Sequence, residues 1–274
     1  MSFIKQINYP NIPKAWAIFF VTILGQLIAS PILLLTGRDS ELGIFVSYTL
    51  GMLIGLGFAL YQKSNWPCQT QLRVSLIEKR PFNPLILIVS ILAIPCIHLI
   101  SGPITQFIPI PDSFLDELNR MVGDFGIFSF LTIVIAAPIL EELIFRGIIL
   151  DGFLKNYSPT KAIIYSSLMF GLIHMNPWQF INATLIGVFL AWLYYRTRSI
   201  WPCIFLHMAN NGLIFFAAKF VGVEAQEIEE PSIIMLFVSV IFGIGMLFLL
   251  IQLIERVIDS ATPNWQDETL EEEE

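Results

Sequence analysis

The sequence predicts an all-α fold, a polytopic membrane helix bundle of about eight transmembrane helices. Three observations predict it. Hydrophobic residues make up 55% of the 274-residue chain and charged residues only 14%, against roughly 25% charged in soluble domains. The mean hydropathy is +0.73. Apolar runs near the ~20 residues a bilayer requires recur along the whole length and leave no room for a soluble domain, so residues 1–274 are read as a single membrane domain.

In chain order the expected spans are 15–36, 42–62, 84–104, 125–150, 159–176, 178–195, 200–222 and 232–254. The first is long enough to cross and lacks a short apolar region with a small-residue cleavage site, so it reads as a retained signal anchor. The fourth runs on into Asp151–Leu154 and turns near Asn156–Pro159. The fifth and sixth are short and broken mainly at Asn176-Pro177. Between the third and fourth spans, 105–124 contains Pro111-Asp112-Ser113, an N-cap signal for a short amphipathic surface helix, read as structural.

Orientation follows from the basic residues, which favour the cytoplasmic side. With both termini cytoplasmic, one side collects Lys5, Lys14, Lys63, Arg73, Lys79, Arg80, Lys155, Lys161, Arg196, Arg198 and Arg256, 11 of the 14 basic residues outside Arg146. The other side holds Arg38, Arg120 and Lys219. Loop 63–83 is basic enough to meet anionic headgroups. The net charge of −7 owes much to 261–274, whose last eight residues carry six acids, read as a solvated, disordered tail. Cys68, Cys96 and Cys203 are too scattered for a disulfide framework or a zinc knuckle.

Polar groups inside the expected spans carry the functional signal, because charge in hydrocarbon is costly. Glu142 and Arg146 stand four apart and share a helix face as an ion pair. Glu141 points about 100° away from Glu142 and has no basic partner in its own helix. Glu141 lies 15 residues before the turn at Asn156 and His174 lies 18 after, so an antiparallel hairpin brings them to nearly one level. His207 and Asn211 share a face of the seventh span, with Asn210 beside them. Phe170 is read as packing. Gln26, His98 and Asn182 are isolated in sequence and are read as structural.

A carboxylate able to exchange protons, two histidines and an amide fit water activation. Glu141 acts as general base, a histidine holds the water, and His207 with Asn211 stabilises an oxyanion. The same Glu, His, His set could instead hold Zn²⁺ with a water as fourth ligand, and the spacing does not separate the two mechanisms. Neither GxSxG nor HExxH occurs. A proton-coupled transporter would more often break helices in both halves, whereas these ionisable residues cluster in one half. A non-catalytic membrane scaffold or immunity protein retaining the polar cluster is the other reading.

Three motifs carry a resemblance. Glu141-Glu142-Leu143-Ile144-Phe145-Arg146 resembles EExxxR, Phe170-Gly171-Leu172-Ile173-His174 resembles FxxxH, and His207-Met208-Ala209-Asn210-Asn211 resembles HxxxN. Together they resemble the CPBP family, CAAX proteases and bacteriocin-processing enzymes, over about 137–215. The resemblance implies an intramembrane endopeptidase acting on a membrane-associated, CAAX-like or lipidated substrate, with a catalytic core at about 125–222. It implies Glu141 as base, His174 on the catalytic water, His207 and Asn211 at the oxyanion, and Glu142 and Arg146 as support. It implies no cofactor. Expected partners are the bilayer and the peptide or protein substrate, with no nucleic acid.

One expectation is geometric. Counted from the loops, His174 falls near the outer end of the fifth span and His207 about seven residues into the seventh from its cytoplasmic end, a mismatch on the order of 10 Å. Protrusion of the 4–5 hairpin, or a tilted or re-entrant sixth span, is expected to remove it.

Overall fold

The computed structural model describes residues 8–66, 83–122, 124–221 and 232–258. Residues 67–82 of the basic loop and the acidic tail 261–274 lie outside the described residues. Among those described, the chain forms helices α1 (Ile12–Thr36, interrupted after Ala29), α2 (Glu41–Ser64), α3 (Leu85–Thr105), α4 (Asp112–Val122) and α5 (Ile127–Asn156). They are followed by α6 (Pro159–Leu172), α7 (Pro177–Thr197), α8 (Ile200–Val221) and α9 (Ile233–Val257). No strand occurs among the described residues. The protein is a helical membrane bundle.

Six of these helices, α1, α2, α3, α5, α8 and α9, are long and apolar enough to cross a bilayer. The fifth and sixth expected spans are the hairpin α6–α7. With 14 residues, α6 is roughly 21 Å long, short of a ~30 Å hydrocarbon core. Outer faces of α1 and α9 leave Phe20, Leu24, Leu27, Ile233, Phe237 and Ile241 exposed, the mark of surface solvated by lipid rather than water.

Local sequence explains the bends that matter. Pro138 lacks an N–H and its ring crowds the carbonyl four residues back, so α5 cannot continue as a regular α-helix through this point. The helix widens to i→i+5 bonding over Leu131–Ala136, with Ala137 N–H donating to Thr132 O, and widens again over Phe145–Leu150. Ala137–Ile144, which carries both glutamates, is a short α segment between the two wide turns.

α1 and α2 pack closely because α2 presents glycines. A methyl on Gly51 would fall 2.7 Å from the Gln26 side chain, and one on Gly55 would collide with Thr22. At one end of the bundle Asn156 Nδ2 donates to Asn8 O at 2.7 Å, and Ile12 N–H donates to the Tyr157 hydroxyl at 3.3 Å. There Lys155 also pairs with Asp151 at 3.0 Å, with Lys63 at 4.0 Å on the same carboxylate. Arg196 pairs with Glu255, joining the ends of α7 and α9. The start of α1 and the ends of α2 and α5 therefore meet.

Candidate functional site

Glu142 is wholly buried, and its Oε1 accepts from Arg146 at 2.8 Å and from His207 Nδ1 at 2.8 Å. Arg146 donates its second nitrogen to Gly187 O at 3.2 Å, and its guanidinium lies 4.4 Å from the centre of the Phe170 ring. The same ring meets His174 and His207 edge-on, each with centroids 5.5 Å apart. A charge held this deep persists only when paired and hydrogen-bonded, and here the i,i+4 spacing on α5 supplies the pairing. The expected Glu142–Arg146 pair is present, and the structure adds His207 as a second donor to the same carboxylate oxygen. Phe170 is packing, as read, and packs on both histidines and the arginine at once.

Glu141 faces the other way. Its Oε1 accepts from the Tyr48 hydroxyl at 2.6 Å. Its Oε2 is buried without a hydrogen-bond partner among the described residues and stands 3.8 Å from His207 Nε2. The 10 Å mismatch is thus absent. The α7–α8 turn at Arg198–Ser199 is buried inside the bundle end, whereas Ser158 in the α5–α6 turn is exposed, so α8 starts deeper than a count from the surface assumes. The 30 residues of α5, roughly 45 Å, also exceed the hydrocarbon thickness and carry that turn beyond it.

His174 sits just past the end of α6, in a turn whose next residue, Met175, takes a left-handed backbone (φ 57°). Asn176 caps α7 by accepting from Gln179 N–H at 2.8 Å and donates to His174 O at 2.9 Å, which fixes that turn. His174 Nδ1 is 3.0 Å from Phe170 O, an acceptor, so Nδ1 carries the proton and Nε2 is left as an acceptor.

Asn211 donates to Ile133 O at 2.9 Å and accepts at Oδ1 from Asn210 Nδ2 at 3.1 Å. Asn210 Oδ1 in turn lies 2.9 Å from His98 Nε2, so the chain of donors runs from His98 through both asparagines. Each orientation is set by the next, and one Asn211 N–H remains uncommitted. The residues read as isolated all have distant partners: Gln26 donates to Tyr48 O at 3.2 Å, and Asn182 accepts from Ser101 at 3.0 Å.

Two adjoining cavities, about 230 Å³ and about 520 Å³, share Glu141, His174 and Asn211 in their linings. His207 and Asn210 line the smaller, Tyr48 and Gln26 the larger. Leu118 and Met121 of α4 line both, and Phe114 of the same helix stacks on Trp178 at 4.7 Å. The amphipathic helix read as a structural surface element therefore covers the cavity. Sequence reasoning missed Tyr48 and set His98 aside, because nothing near either in sequence reveals partners 93 and 112 residues away.

The six expected site residues Glu141, Glu142, Arg146, His174, His207 and Asn211 thus converge on one buried place. Residues 123–213 match the Rce1-like family, described as type II CAAX prenyl endopeptidase Rce1-like. This segment is similar to that family, over about a third of the chain. An 80-residue stretch is 38% identical to "Putative membrane peptidase YdiL" of Bacillus subtilis (strain 168), covering 29% of this chain and 33% of that protein. The match thus spans about a third of the relative's length. No solved structure matches the chain. The matched segment contains every one of those six residues, while Tyr48 and His98 reach the site from helices outside it.

Among the described residues, no group of three His, Cys, Asp or Glu side chains is arranged to hold a metal ion. His207 Nδ1 faces Glu142, and His174 Nδ1 faces a carbonyl. Those contacts leave Nε2 of each imidazole facing the cavity, and no step below passes through a metal.

Proposed function

We propose that this chain is an intramembrane endopeptidase of the CAAX type, hydrolysing a peptide bond of a membrane-associated substrate with water activated by Glu141. The observation that carries the reading is the Glu141 Oε2 atom, buried, without a hydrogen-bond partner among the described residues, 3.8 Å from His207 and in a cavity shared with His174 and Asn211. The match to a CAAX endopeptidase family and to a protein named as a membrane peptidase supports it.

A water in this cavity donates to Glu141 Oε2 and to His174 Nε2, which directs its lone pair at a substrate carbonyl. As the new C–O bond forms, Oε2 takes the water's proton and the carbonyl electrons move onto oxygen. That oxyanion is stabilised by the uncommitted Asn211 N–H and by His207 Nε2–H. Since His207 Nδ1–H is committed to Glu142, its Nε2 donates only as an imidazolium. Two carboxylates, Arg146 and an imidazolium then sum to zero charge, which suits a site inside hydrocarbon. Collapse breaks the C–N bond, and the proton on Glu141 passes to the leaving amine. The enzyme returns to its starting state.

The cytoplasmic placement of both ends belongs to this reading, supported by the gathering of Lys63, Lys155 and Arg196 at helix ends. The test is cleavage of a panel of quenched, membrane-associated peptides by the full chain in proteoliposomes, with and without a chelator. We expect turnover that survives chelation and disappears in Glu141→Gln. Turnover retained in that variant would reject Glu141 as base, and turnover abolished by the chelator would reject the metal-free mechanism.

A further inference from the structure

The two oxygens of the Glu141 carboxyl are chemically equivalent in an isolated side chain. The last torsion of a glutamate is broad and nearly two-fold, so packing alone does not decide which oxygen faces a reactant. In this structure they differ. Oε1 is held by the Tyr48 hydroxyl at 2.6 Å, a short distance for an O–H···O bond, while Oε2 has no hydrogen-bond partner among the described residues.

Tyr48 is itself fixed. It sits on α2 three residues before Gly51, where α1 and α2 approach so closely that a side chain at Gly51 would meet Gln26. Gln26 also donates to the Tyr48 carbonyl, which pins this turn of α2 beside the cavity. A half-buried tyrosine inside a membrane bundle needs a partner for its hydroxyl, and many acceptors would serve that need. The acceptor chosen is the one carboxyl that the proposed chemistry requires to be held in a single orientation.

We infer that Tyr48 is a positioning residue for the peptidase reaction: by occupying Oε1 it makes Oε2 the proton acceptor and aims it between His174 and His207. The inference rests on the reading of Glu141 as base, and it adds a residue from outside the family-matched segment 123–213. Tyr48→Phe keeps the ring and removes the single bond at issue.

Two readouts on the full chain in proteoliposomes test it. The first is the infrared band of the Glu141 carboxyl, isolated by subtracting the spectrum of Glu141→Gln from that of the unmodified chain. The same subtraction is then made in a Tyr48→Phe background. The band is expected to shift in the Tyr48→Phe background. The second is cleavage of the quenched peptide panel, where Tyr48→Phe is expected to lower kcat about 10- to 100-fold with KM little changed, the scale of a charge-assisted hydrogen bond. Thermal unfolding of Tyr48→Phe is expected close to that of the unmodified chain. Superimposable Glu141 bands would overturn the proposal, as would an unchanged kcat or a loss confined to KM. An unmodified chain inactive on the whole panel would instead overturn the peptidase reading and take the positioning role with it.

Discussion

Glu141 and Glu142 are neighbours on one helix and have opposite environments. Glu142 is fully enclosed, with Arg146 and His207 both on Oε1 and the Phe170 ring closing over the guanidinium. Glu141 is held on one side by Tyr48 and opens on the other towards a cavity lined by His174 and Asn211. The difference comes from the 100° rotation per residue of an α-helix. One face of α5 meets α7 and α8, where Glu142 Oε1 is doubly bonded and Oε2 is enclosed without a hydrogen-bond partner among the described residues, while the next residue meets space between helices. One residue step along α5 therefore separates a carboxylate enclosed by Arg146 and His207 from one that opens on the cavity.

The sharpest way to break this division is Arg146→Ala. Removing one partner of a buried pair costs about 3–5 kcal/mol, so the variant should unfold at a markedly lower temperature in detergent. An unchanged Tm would show that Glu142 does not depend on the pair. Next in size, Asn211→Ala should lower kcat by about 10²–10³, the usual cost of one oxyanion donor, while Tm stays near that of the unmodified chain. A large loss of stability with intact turnover would move Asn211 to the structural side of the comparison. The smallest effect is expected from His98→Ala, which leaves Asn210 without its donor and loosens the asparagine chain. About 1 kcal/mol, or roughly fivefold in kcat, is the expected scale. No change in either kcat or Tm would mean that Asn211 keeps its orientation through Ile133 alone.

Much of this arrangement was legible in the sequence for physical reasons that also mark where legibility stops. Each of the eight expected spans corresponds to a helix, because long apolar runs broken by Pro, Gly and Asn report directly on segment ends. The Glu142–Arg146 pair was legible because i,i+4 spacing is a local property. The nominal mismatch between His174 and His207, expected to be removed by the packing, arises because a count along helices starts at the loops, and the Arg198–Ser199 turn is buried rather than at the surface. The wide turn before Pro138 follows from that proline, whereas the second, over Phe145–Leu150, has no signal in the spacing. Tyr48, His98 and the covering role of α4 depend on which helices touch. A lone polar residue on an apolar helix carries no address for its partner.

The central claim is that Glu141 serves chemistry and Glu142 serves structure. Its most direct measurement compares Glu141→Gln with Glu142→Gln, side by side, for Tm in detergent and turnover on the quenched peptides in proteoliposomes. The account predicts that Glu141→Gln keeps its Tm and loses turnover by at least about 10²-fold, while Glu142→Gln unfolds at a lower temperature. Turnover retained in Glu141→Gln, or a Tm lost there and kept in Glu142→Gln, would contradict it.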